Sequence, residues 1–100
     1  MARIINSDEF DRIIKGDKPV LVDFYADWCG PCRMVAPTIE ELSAERDDAE
    51  IVKVNVDNSP ELAIRYGVSS IPTILVFRGG ELASRAVGVR SKDQLIAMLS

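Results

Sequence analysis

The chain has no histidine at all, only two cysteines and a single tryptophan among its 100 residues. Each shortage excludes something. Without histidine there is no Cys–His hydrolase arrangement. With two thiols and no imidazole, one chain cannot supply the four nitrogen or sulfur ligands of a closed zinc site, so only a metal shared between two chains escapes that count. Small secreted domains that depend on disulfides carry roughly four to eight cysteines in loop-rich sequences, which this is not. A bridge between Cys29 and Cys32 would also close too short a loop to restrict the unfolded chain appreciably. Positive charge is scarce as well: 12 Lys and Arg stand against 16 Asp and Glu, a formal net charge of -4. That balance argues against nucleic acid or an anionic membrane as partner, since both need clustered basic residues. No apolar run approaches the roughly 18 residues that span a bilayer. The opening "MARIINSDEF" lacks the apolar centre of a signal peptide. With a length that suits one domain over residues 1–100, the expectation is a cytoplasmic protein, taken to act as a monomer, in a compartment where a disulfide is transient rather than structural.

What the chain does have is apolar material, 47% of its residues, enough for a core that folds unaided. Its periodicity alternates between strand-like and helix-like with no repeat or linker. After a short apolar start at Ile4 and Ile5, Asn6 with Glu9 forms a capping box for a helix that turns Phe10, Ile13 and Ile14 inward. "PVLVDFYA", Pro19 to Ala26, is the continuous apolar run of a strand covered on both faces. A helix over 31–46 follows, with Met34, Val35, Ile39 and Leu42 on its apolar side and a kink at Pro37. The strand "IVKVNV", Ile51 to Val56, completes a parallel βαβ unit. Ser59 as cap, Pro60 and Gly67 delimit a short helix. Thr73 to Phe77 and Glu81 to Val87 form a hairpin around Gly79 and Gly80, and Ser91 with Gln94 caps a last helix. The expected architecture is α/β, a central mixed sheet of five strands flanked by four helices.

The two cysteines fall in "YADWCGPCRM", where a strand ends and a helix begins. Unpaired N–H groups and the helix dipole at such a junction favour negative charge, and so favour Cys29 as thiolate. A thiol whose pKa lies near ambient pH is best suited to disulfide exchange. Cys32, three residues on, can close the bridge or resolve a mixed disulfide. Cys29 is thus read as the exposed attacking sulfur and Cys32 as the shielded one.

With these residues placed, the chain resembles the thioredoxin family over essentially its whole length. "WCGPC" is that family's active-site motif, and "VDFYADWCGPCRMVAP", "KVNVD", "YGVSSIPTILVF" and "GVRSKDQL" match it in order and spacing. The resemblance implies a thioredoxin fold and a protein-disulfide reductase that needs no bound cofactor beyond the reversible Cys29–Cys32 disulfide. Its partners would be disulfide-containing substrate proteins and a flavin-dependent thioredoxin reductase. Oxidising relatives on this fold usually carry histidine between the cysteines, where this chain has Gly30 and Pro31. A reading from another class is a non-redox binding subunit or chaperone module built on the same fold.

Asp23 is out of place in an apolar strand, where poor hydration would raise its pKa unless it reached water at an edge. The resemblance makes it a buried base that deprotonates Cys32. Lys53 interrupts "IVKVNV" in the same way; either its ammonium simply reaches water past a packed stem, or, as the family implies, it lies near Asp23 and moderates its charge. Pro72 could merely mark a strand start. The family holds this bond, Ile71 to Pro72, in cis beside the cysteines, leaving the Ile71 backbone to pair with an extended substrate segment. Trp28, Gly30, Pro31, Val87 and Gly88 would complete a shallow apolar surface, although a strand end and a turn glycine explain the last two as well. Tyr25 replaces a frequent tryptophan, and Asp27 adds a negative charge that would disfavour a nearby thiolate.

Overall fold

In the computed structural model, which describes residues 1–100, the apolar run after Pro19 is a strand with every residue buried. In chain order the elements are β1 (Arg3–Ile4), α1 (Ser7–Ile14), β2 (Val20–Tyr25), α2 (Gly30–Glu45), β3 (Glu50–Asn55), α3 (Pro60–Arg65), β4 (Thr73–Arg78), β5 (Glu81–Val87) and α4 (Lys92–Leu99). The five strands form one sheet in the order β1-β3-β2-β4-β5. Pairing is parallel from β1 through β3 to β2 and antiparallel from β2 through β4 to β5. The expected mixed sheet with four helices is present, and the elements start and stop within about one residue of where the hydrophobic pattern puts them.

β2 is central because alternate residues feed two cores. On one face Leu21 joins Val35, Ile39 and Leu42 of α2 and Leu95 of α4. On the other, Val20, Val22 and Phe24 join Phe10 and Ile14 of α1 and Leu62 of α3. In this second core Phe77 meets Phe10 and Tyr66 edge to face and Phe10 and Tyr66 are tilted against each other, with ring centroids 5.3 to 5.6 Å apart.

Local chemistry explains the element ends. Asn6 and Ser91 each cap a helix with a full capping box, through Glu9 and Gln94. Ser59 occupies the N-cap of α3 but makes no side-chain capping bond, so that expectation holds in position and not in mechanism. The β4–β5 turn places Gly79 and Gly80 at φ 59° and 86°, the left-handed conformations a two-residue hairpin turn requires. One assignment to the interior fails. Met34 is 70% exposed. The inward stripe of α2 is Cys32, Val35, Ile39 and Leu42, and Met34 lies about 100° around the helix from Val35. Ile4, 57% exposed, faces solvent from the sheet edge, while Ile5 just beyond β1 is buried.

Candidate active site

At the end of β2 the chain turns through Ala26, whose carbonyl accepts the Cys29 N–H at 3.3 Å. Cys29 is the N-cap residue of α2, with extended backbone and Pro31 in the first turn. Its Sγ accepts the N–H of Cys32 at 3.2 Å, so a helix N-terminal amide points at the sulfur that would carry charge. Cys29 and Cys32 are joined as a disulfide, with Cα atoms 5.2 Å apart. The Ile71 carbonyl oxygen lies 3.7 Å from Cys29 Sγ.

One expectation about this pair is corrected. Cys29 is not the exposed member: both cysteines are 4% accessible. Tyr25 and Ala26, with half-buried Val56 and Ile71, pack around both sulfurs. The two differ in surroundings instead. Cys32 lines a cavity of about 180 Å³ together with Asp23, Tyr25, Ala26, Asp27, Arg33, Ala36 and Lys53, and Cys29 does not.

The rim is built from distant parts of the chain. The Ile71–Pro72 bond is cis. Pro72 is itself buried, so it shapes the ledge without adding surface to it. Its carbonyl accepts the Gly88 N–H at 2.8 Å, and Thr73 Oγ1 donates to the Ser70 carbonyl at 2.6 Å. Val87 pairs with Thr73 across the hairpin, which brings the β5 end to the same ledge. Neither the amide nor the carbonyl of Ile71 is used in an intramolecular backbone hydrogen bond. Trp28 is 68% exposed, with its indole N–H donated to Asp57 Oδ2 at 2.9 Å. Asn55 Oδ1 in turn accepts the amides of Asp57 and Asn58 at 2.9 and 3.3 Å. Pro31 and Val87 are exposed, and Gly30 and Gly88 half-buried. Asp57, Asn55 and exposed Val89 were not singled out from sequence. "VNVDN" reads as a strand running into a turn, and nothing local links Asp57 to a tryptophan 29 positions earlier.

Asp23 is buried, with neither carboxyl oxygen hydrogen-bonded. Its place on the central strand rules out an edge location. Burial pushes its pKa up from 3.8 to about 6; the Lys53 charge opposes the rise and the Glu40 charge adds to it. Lys53 is the register partner of Asp23 on β3, half-buried, with Nζ 4.4 Å from the centre of the Tyr25 ring. Asp27 is exposed and lines the same cavity, and its carbonyl accepts the Arg33 guanidinium at 2.8 Å. A larger surface cleft, about 400 Å³, lies at the opposite end of the sheet among Arg3, Arg12, Val20 and Glu50, away from the cysteines.

A family model described as Thioredoxin matches residues 1–100. The chain belongs to the thioredoxin family. It is 49% identical to a thioredoxin of Alicyclobacillus acidocaldarius subsp. acidocaldarius, an alignment covering 91% of this chain and 88% of that one. It is 44% identical to a bifunctional thioredoxin reductase/thioredoxin of Mycobacterium leprae, over 97% of this chain and 21% of that longer protein. Among solved structures, mitochondrial thioredoxin 3 of Saccharomyces cerevisiae in its oxidised form superposes with a TM-score of 0.88 at 32% identity, covering 98% of this chain and 92% of that one. This thioredoxin-family protein is a thiol–disulfide oxidoreductase, a protein-disulfide reductase whose Cys29 and Cys32 form a reversible disulfide. A non-redox binding or chaperone module is not favoured by a cysteine pair so placed.

Proposed function

We propose that the protein reduces disulfides in other proteins with its two cysteines in unequal roles, and that Asp23 moves the proton. Cys29 thiolate attacks one sulfur of the substrate disulfide, and the other sulfur leaves as thiolate and takes up a proton. The Cys32 thiol gives its proton to the Asp23 carboxylate, and the resulting thiolate attacks Cys29 Sγ. The substrate's second sulfur leaves and is protonated. The substrate gains two electrons and two protons, and the Cys29–Cys32 bridge remains. Lys53 moderates the charge on Asp23. The observation that carries this assignment is the asymmetry of the pair: the α2 amide points at Cys29 Sγ, whereas Cys32 shares the cavity with Asp23.

The Ile71 backbone, free of backbone hydrogen-bond partners and with its carbonyl beside Cys29, receives an extended substrate segment as an added strand, with Trp28, Gly30, Pro31, Val87 and Gly88 as the surrounding surface and Pro72 beneath. A flavin-dependent thioredoxin reductase returns the electron pair to the disulfide; the relative named as a bifunctional thioredoxin reductase/thioredoxin supports such a partner. The protein works as a cytoplasmic monomer, a single domain passing electron pairs to substrates and so sustaining redox homeostasis. The test is trapping. Cys32→Ser accumulates a covalent adduct with a model disulfide protein, and Cys29→Ser neither traps nor reduces it. Trapping by Cys29→Ser, with none by Cys32→Ser, reverses the assigned roles.

A further inference from the structure

Tyr25 exchanges no sulfur and takes no proton in the proposed reaction, yet its ring touches the cation that acts on Asp23. Asp23 and Lys53 are register partners on adjacent strands, within reach of a direct ion pair. None forms, and both Asp23 oxygens lack any hydrogen-bond partner. The ammonium sits instead over the Tyr25 ring, 4.4 Å from its centre, where the negative face of the aromatic ring attracts it. Asp23, Tyr25 and Lys53 all line the cavity that Cys32 shares.

We infer that Tyr25 is a positioning residue: its ring holds Lys53 near Asp23 but out of contact with it, which leaves the Asp23 carboxylate free to accept the proton of Cys32. The inference rests on Asp23 being the base. A direct ion pair would hold the carboxylate in its charged form and make it a poor acceptor, while removing the cation would leave burial unopposed and keep the carboxyl protonated. An intermediate placement of the ammonium serves a group that must both take and release a proton near neutrality. The other charged groups around Asp23 are Glu40 and Arg33 on α2 and Asp27 in the loop after β2; β4 presents only Ile74 opposite it. Glu40 is tied to the Ala2 amide at 2.7 Å and Arg33 to the Asp27 carbonyl, which leaves Lys53 as the cation with a choice of partner.

The experiment follows the Asp23 carboxyl directly by NMR titration of carbon-13-labelled aspartate, alongside the pH profile of model disulfide reduction. Tyr25→Leu releases the ammonium toward the carboxylate and lowers the Asp23 midpoint by about one unit. Tyr25→Phe keeps the aromatic face and leaves the midpoint where it was. Loss of the ring also wets the cavity, so the comparison is repeated in Lys53→Met, where Tyr25→Leu should shift the midpoint far less. An unchanged midpoint in Tyr25→Leu, or an equal drop with Lys53→Met, overturns the inference. If Tyr25→Leu fails to fold, Tyr25→Met removes the ring while filling more of its volume. A midpoint that moves while the rate profile stays in place retains Tyr25 as the positioning group and removes Asp23 as the base; a profile that moves with the midpoint supports both.

Discussion

Asp23 is where stability and chemistry pull in opposite directions. Its carboxyl titrates at about 6 in the folded protein against 3.8 for the ordinary group, because burial penalises the charge. Between those values the native state holds a proton that the unfolded chain has released, so stability falls as pH rises from about 4 to about 6 and the full penalty applies above. Two units correspond to about 3 kcal/mol at most. Asp23→Asn should therefore be more stable at pH 7 by roughly 2–3 kcal/mol in urea unfolding, with the advantage gone below about pH 4. The same variant should resolve mixed disulfides more slowly. An advantage that persists undiminished at low pH would trace the gain to packing instead of charge. The anomaly of Asp23 was legible in the sequence, since a carboxylate in an apolar strand is conspicuous, and the family resemblance placed Lys53 near it; that Lys53 rests on Tyr25 was not. Tyr25 and Lys53 belong to different strands and meet only because β2 and β3 pair in one particular register.

At the scale of elements, what the sequence shows depends on how local the interaction is. The capping boxes at Asn6 and Ser91 span three residues each and are realised in full. Ser59 looks equivalent by type and position yet contributes no capping bond. Ser91→Ala should then lower stability by about 1 kcal/mol and Ser59→Ala by less than about 0.5 kcal/mol, read from thermal unfolding of the oxidised protein. Comparable losses would mean that Ser59 caps after all. The β4–β5 turn allows a second contrast. Gly79→Ala places a side chain in the left-handed region with open space around it, at a cost of about 1–2 kcal/mol. Gly80→Ala should lose more, because its added carbon would come within 3.1 Å of Lys15 Cγ where α1 ends. That second contact joins residues from two turns far apart in the chain, and no pattern of glycines reveals it.

The molecule as a whole is one sheet with a core on either face, both fed by β2. Leu21→Ala opens the core under α2 and α4, and Leu75→Ala the one under α1 and α3; each should lose about 2–5 kcal/mol. Because β2 belongs to both, either variant should still unfold in a single transition, with far-ultraviolet circular dichroism and Trp28 fluorescence coincident. Separate transitions would show that the two layers unfold independently. The sequence by itself determined the order and type of the elements, the redox pair at a strand-to-helix junction, and the exclusion of a staple or a single-chain zinc site. Those features follow from periodicity, capping and residue counts, which act over a few neighbouring positions or none. Only the tertiary structure decided that Cys29 is as buried as Cys32, that Met34 faces solvent, that Trp28 is held by Asp57, and that Lys53 rests on Tyr25 beside a carboxyl it does not touch. The exposure of Met34 follows from the phase of α2 about its axis; the others depend on groups brought together by strand order and register, and a one-residue slip of a strand would turn its side chains to the other face and dissolve those contacts while leaving the sequence pattern unchanged.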